Sequence, residues 1–112
     1  MSKSININGS EYALQLKDNV AIGGEAALGV FMHSEMRIEV ATDGVHERCQ
    51  AETLLHESMH GMLCSAGKAE HDEEIMTILD QGVVSLLRNN RWLVPVLLGD
   101  KTLEDAVMEQ SQ

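Results

Sequence analysis

The clearest chemistry in this chain lies in one string, His56-Glu57-Ser58-Met59-His60, which reads H-E-x-x-H. On a helix, residues four apart sit one turn above each other on the same face, so His56 and His60 can aim two imidazole nitrogens at one point. A tetrahedral zinc ion accepts such nitrogens at about 2.0–2.1 Å. Glu57 is rotated by about 100° from His56 and cannot share that point. It lies close enough to a zinc-bound water to serve as general base. The expected chemistry is zinc-dependent peptide hydrolysis by that water, activated by Glu57, acting on a peptide or protein substrate. The plainer alternative is two solvent-facing histidines satisfied by acids such as Glu52.

A catalytic zinc site needs a third protein ligand and an open fourth position. If the chain reverses at Gly67, His60 stands about six residues before the turn, and its counterpart on a returning helix falls within 71–77. That window holds His71, Asp72, Glu73 and Glu74. Glu73 is the expected ligand, because Thr77 one turn on can hydrogen-bond a ligand or its support, whereas apolar Ile78 follows Glu74. Glu74 and His71 remain alternatives, and the whole acidic run also reads simply as a helix first turn. Donors for a tetrahedral oxyanion come from Tyr12, His33, His46 and His71, none singled out by the sequence. A closed Cys49, His56, His60, Cys64 site fails on reach. Fifteen residues of straight helix separate the cysteines by more than about 20 Å, so both read as small buried hydrophobes.

The elements that must position these residues follow from the hydrophobic pattern. Ile5 and Ile7, then Asn8-Gly9, then Tyr12, Leu14 and Leu16 describe a hairpin closed by a type I′ turn. Met36, Ile38 and Val40 alternate with Glu35, Arg37 and Glu39, the signature of a strand with one wet face. A small antiparallel sheet is expected over residues 4–41. After Thr42-Asp43-Gly44 the period changes to helical. Val45, Cys49, Leu54, Leu55, Met59, Met62, Leu63 and Ala66 share a helix, and Gly67 suits the left-handed position after it. A second helix is expected from about Glu70–Asp72 to Asn89-Asn90, its apolar face made of Ile75, Ile78, Leu79, Val83, Leu86 and Leu87. Thr102-Leu103-Glu104-Asp105 resembles a capping motif before a short C-terminal helix.

Composition bounds the partners. The 112 residues carry 8 Lys plus Arg against 18 Asp plus Glu, a formal charge of −10, which repels nucleic-acid backbones and anionic membranes. The opening MSKSININGSEY lacks the build of a signal peptide, and the longest apolar run, Trp92–Leu98, includes Pro95. A soluble, cytoplasmic chain with reduced thiols is expected. Seven Met against one Phe, one Tyr and one Trp imply an aliphatic and thioether core. The length suits a single domain, 1–112, fraying over 109–112, and leaves the oligomeric state open.

The run Thr53-Leu54-Leu55-His56-Glu57-Ser58-Met59-His60-Gly61, with Glu73-Glu74-Ile75 after a short turn and an Asn-rich helix end before Leu93, resembles the small phage- and prophage-encoded zincin-like metallopeptidases. More distantly it is similar to the ImmA/IrrE-type metallopeptidases. The resemblance covers roughly residues 36–94. It implies His56, His60 and a downstream Glu as zinc ligands, Glu57 as general base, and the strand at 36–41 as a docking edge for an extended peptide. It also implies the host cytoplasm as location. Many relatives of the gluzincin kind carry Asp one turn after the ligand Glu, where this chain has Thr77 or Ile78. The expectation is an α+β, minimal zincin-like core: a small antiparallel sheet on an antiparallel helix pair, with a short C-terminal helix. The rival, from another class, is a zincin-shaped protein that keeps zinc for stability and works by binding a partner protein.

Overall fold

The computed structural model describes residues 3–110 and has an α+β architecture. The chain divides into two compact units, one ending at Asp80 and the other beginning at Gln81. The first unit opens on the expected hairpin, β1 (Lys3–Ile7) and β2 (Ser10–Lys17), paired antiparallel with Ile5 opposite Tyr12. Asn8 and Gly9 both take positive φ, 51° and 93°, the backbone that a two-residue primed turn demands. Next come β3 (Val20–Ile22) and β4 (Glu25–Ala27), a separate two-stranded ribbon, then β5 (Gly29–Met32) and β6 (Arg37–Ala41).

The main sheet has the order β1-β2-β6-β5. β6 pairs antiparallel with β5 but parallel with β2, so the sheet is mixed where an antiparallel one was expected. Alternation of apolar and polar residues looks the same in either direction, and the intervening ribbon and β5 return β6 along β2. A second expectation also fails. β6 is an interior strand with neighbours on both sides, so the segment at 36–41 offers no docking edge; β5 is the outer strand on that side. The strand begins at Arg37, since Met36 sits in a turn at φ 51°.

Nor is one face of β6 wet. Ile38 and Val40 are buried on the helix-facing side, and Glu39, on the other, is only 5% exposed. Its carboxylate is held by Lys17 Nζ at 2.9 Å and Arg37 Nε at 2.8 Å. Burial alone would raise the Glu39 pKa, but these two cations outweigh it and hold the carboxyl below the usual range.

On the apolar face, Ile7, Tyr12, Ile38 and Val40 form the core, with Ile5, Leu14, Phe31 and Leu54 packed around them. Leu54 comes from α1 (Glu47–Ser65), whose first turn is capped by His46, the Nδ1 accepting from Arg48 N–H at 3.0 Å. Gly61 lets α1 approach the sheet closely: a Cβ there would stand 2.9 Å from Ile7 Cδ1 and 3.2 Å from Phe31 Cε2. The helix ends as expected at Gly67, φ 81°. Gly67 N–H donates to the Cys64 carbonyl at 3.0 Å and Lys68 N–H to that of Leu63 at 2.9 Å, the paired bonds of a Schellman stop.

Asp72 caps α2 (Glu73–Asn89), its Oδ1 accepting from Ile75 N–H at 3.1 Å. α2 returns antiparallel to α1, as expected. The face it turns toward α1 differs from expectation. Glu73, Met76 and Asp80, spaced i, i+3, i+7, point inward, and Met76 and Asp80 are buried. Ile75, Ile78 and Leu79 are each more than half exposed. The second unit contains the end of α2, α3 (Leu93–Leu97) and α4 (Leu103–Gln110). Thr102 caps α4 through Asp105 N–H at 3.1 Å, as the sequence suggests. The fraying expected over 109–112 meets an ordered helix end at 109–110, and residues 111–112 lie outside the described part. Among the described residues no helix is long and apolar enough to cross a membrane.

Candidate metal centre

The string His56–His60 lies in the middle of α1, where helical geometry sorts it onto two faces. Thr53, Glu57 and Gly61, four apart, are buried toward the sheet. His56 and His60, one residue round from Glu57 and Gly61, face α2 instead. There the first residue of α2 meets them: Glu73 Oε2 lies 3.0 Å from His56 Nε2, and Glu73 Oε1 lies 2.9 Å from His60 Nε2. One ligand atom from each of the three comes within 4.8 Å of the others. For bonds of about 2.0–2.1 Å, ligand atoms around a tetrahedral ion stand roughly 3.3 Å apart. Two imidazole nitrogens and a carboxylate are donors that zinc accepts, and the two nitrogen–oxygen separations are close to that spacing. The structure thus brings His56, His60 and Glu73 together, and the surface position of Glu73, whose side chain is 64% exposed, leaves the centre open on one side.

Each histidine is backed by a different partner. His56 Nδ1 meets Asp80 Oδ2 at 2.5 Å, and Asp80 is 4% exposed. A carboxylate behind a ligand histidine fixes its tautomer and raises its basicity. Burial works to lower the His56 pKa, but hydrogen bonds to Asp80 and Glu73 and the charges of Glu57 and Asp80 outweigh it, and the net shift is upward. His60 shifts the other way. Burial disfavours its charged form, the neighbouring His56 and His71 add to this, and Glu73 only partly opposes them. His60 Nδ1 lies 2.5 Å from His71 Nδ1, and His71 Nε2 lies 2.7 Å from the Lys68 carbonyl oxygen.

Glu57 is 9% exposed and rests against β5, where the backbone N–H of Phe31 donates to its carboxylate. Room for it comes from Gly29: a Cβ there would lie 3.3 Å from Glu57 Cγ and 2.6 Å from Thr53 Cγ2. Burial, reinforced by the charge of Glu73, raises the Glu57 pKa above that of an ordinary glutamate, against the pull of His56 and the Phe31 N–H. Glu57 and His60 open onto a cleft of about 380 Å³, also lined by Val30, Phe31, His33 and His71.

The four oxyanion candidates separate here. His33 and His71 line the cleft. Tyr12 is buried and does not line the cleft, and its hydroxyl lies 3.1 Å from His33 Nδ1. His46 caps the start of α1, more than two turns from His56. Cys49 and Cys64 are free thiols and half-buried rather than buried, and Cys64 also lines the cleft. Thr77 is exposed, and the support expected of it comes instead from Asp80. The sequence held a signal for Asp80: an acid seven residues after Glu73 falls on the same helix face two turns on, amid apolar neighbours. Compared with known proteins, the chain matches no family model, no curated protein and no solved structure.

Proposed function

We propose that this protein is a zinc-dependent peptidase in which His56, His60 and Glu73 hold the ion and Glu57 is the general base. The observation that carries the reading is the position of Glu57. A carboxylate buried against β5, its pKa raised, stands one residue round the helix from two converging ligand nitrogens. A purely structural site has no use for such a group. When bound, zinc supplies a Lewis acid that acidifies water and polarises a carbonyl. Glu57 takes a proton from the attacking water as the oxygen–carbon bond forms, then delivers it to the amine nitrogen as the carbon–nitrogen bond breaks. Tyr12 Oη lies 3.1 Å from His33 Nδ1, and with the hydroxyl as donor in that bond the His33 Nε2 proton is left for the oxyanion of the tetrahedral species. β5, whose Val30 and Phe31 line the cleft, is the outer strand beside which an extended substrate lies.

The test is Glu57→Gln in zinc-loaded protein against a mixed peptide library. Loss of cleavage by a factor of about 10²–10⁴, with zinc content and melting temperature unchanged, supports the reading. Cleavage at the wild-type rate, or none by the wild-type protein, overturns it.

One observation favours the rival function, a zinc-stabilised module that binds a partner protein. Met62, Ile75 and Leu79 are about half exposed around an apolar groove of about 410 Å³. Partner binding that survives Glu57→Gln, in a wild-type protein without proteolysis, identifies that function.

A further inference from the structure

Resting on the peptidase reading above, we infer that Lys68 selects the substrate: the cleft takes peptides that carry a carboxylate a few residues from the bond to be cleaved, and the Lys68 ammonium holds it. The cleft follows α1 toward its C-terminal end, where Glu57, His60 and Cys64 line it in turn and Lys68 lines it just past the last turn. The bond from Lys68 N–H to the Leu63 carbonyl, 2.9 Å, fixes Lys68 against the end of the helix. That places it about two turns, or 11 Å, from His60. An extended peptide advances about 3.3 Å per residue, and the flexible stem of a lysine shortens or lengthens the reach, so the carboxylate belongs roughly two to four residues from the scissile bond.

Charge makes the choice of ligand. Among the described residues lining the cleft, Glu57 is the only Asp or Glu and Lys68 the only Lys or Arg. Glu57 is buried against β5 and is the proposed base, so Lys68, which is exposed, carries the charge that a bound peptide meets. The chain holds 18 Asp plus Glu against 8 Lys plus Arg, and Lys17, Arg37 and Lys101 each pair with a carboxylate. Among the described residues no carboxylate pairs with Lys68, although acids follow it closely in sequence; Asp72 instead gives its Oδ1 to Ile75 N–H. A chain of net charge −10 repels anions in general, so a cation left unpaired in the cleft marks where one is accepted. Ile22, Val30, Phe31 and Ala69 supply apolar lining, which suits the side chains between and offers a carboxylate no second place. An ammonium is a mobile point charge, so it serves equally a free C-terminal carboxylate or an Asp or Glu side chain at that distance.

The experiment uses full-length, zinc-loaded protein and peptides that the wild type cleaves, each made in matched pairs: a free C-terminus against its amide, and an internal Glu against Gln, at the distance given above. The carboxylate member should exceed its neutral twin in kcat/KM by about 3- to 10-fold, the scale of a charged hydrogen bond to an exposed cation. A preference confined to one kind of pair supports the inference and names the source of the carboxylate. Lys68→Met, which keeps the length of the stem, should bring the ratio near one, and Lys68→Arg should keep it. The same pairs, fluorescently labelled, should show the same ratio in Kd on Glu57→Gln protein and lose it in Glu57→Gln with Lys68→Met, a readout that needs no cleavage. Equal zinc affinity in wild type and Lys68→Met, from competition with a chromophoric chelator, assigns the change to the peptide; weakened zinc binding in Lys68→Met assigns it to the site itself and overturns the inference. A ratio near one in the wild type also overturns it, as does a preference that persists in Lys68→Met, the result expected if the ion bound the carboxylate directly. Each of these leaves the peptidase standing. A wild-type protein that cleaves no peptide removes the peptidase reading, and the inference with it.

Discussion

Adding a single methyl group at Gly29 should unseat Glu57. The Cβ of Gly29→Ala would stand 2.6 Å from Thr53 Cγ2, 3.0 Å from the Glu39 carbonyl oxygen and 3.3 Å from Glu57 Cγ. Ordinary contacts between such atoms lie near 3.5–4.0 Å, so at least the first two must open. The Glu39 carbonyl belongs to the interior strand β6 and cannot yield without disturbing two strand pairings. The relief must therefore come from α1, through Thr53 and Glu57. Overpacking of this kind costs about 1–3 kcal/mol. The greater backbone order of Ala returns about 0.5–1 kcal/mol, leaving a net loss of up to about 2.5 kcal/mol. At about 4–8 °C per kcal/mol, thermal unfolding followed by circular dichroism should show a fall of up to roughly 20 °C. Thr53→Ser removes the methyl in the closest contact. In that background Gly29→Ala should cost at least about 1 kcal/mol less, a coupling expected only of touching residues. An equal Gly29→Ala penalty in both backgrounds refutes the packing argument.

Other consequences can be measured independently. Asp80→Ala should weaken zinc binding about 10- to 100-fold in the chelator competition, because His56 loses the acceptor of its Nδ1 proton. Because the His56 pKa is raised above 6.5, protons compete with zinc at a higher pH than for an ordinary histidine. The zinc affinity should accordingly begin to fall, as pH is lowered, from a point above pH 6.5. The acid limb of any peptidase activity should lie above pH 4.5, since Glu57 must lose its proton to act as base and burial resists that. Glu39, whose folded pKa is lowered, contributes stability that is present above 4.5 and lost as pH falls through the folded value. Glu39→Gln should cost roughly 1 kcal/mol at neutral pH, limited by the partly solvated Lys17 and Arg37, and the difference in urea midpoint from wild type should shrink toward acid.

What the sequence made legible was local. Asn8-Gly9, Gly67 and Thr102 announced their turn, stop and cap because each satisfies a backbone requirement within a few residues. The four-residue spacing of His56 and His60 needed only a helix to become one face. The pairing partner of β6 was not legible, because alternation carries no information about strand direction or about which strand ends at an edge. Glu39 read as wet because the pattern records polarity and not the two cations that follow it into the sheet. The apolar residues of α2 outnumber its acidic ones and so read as the core face. The face actually turned inward is chosen by Glu73 and Asp80, whose partners lie on another helix.

α1 also settles which distances in the site can drift. Glu57 is referenced to the sheet and the two histidines to α2, yet the proposed base and the proposed imidazole ligands share one turn of one helix. Their mutual offset is therefore written in the rise and rotation of the helix itself, about 1.5 Å and 100° per residue, and not in the fit of separate parts. Tolerance is spent elsewhere. Any displacement of one helix against the other would fall on Glu73, the one proposed ligand carried by the other helix, so the loss of that carboxylate would precede any loss of register between Glu57 and the paired imidazoles.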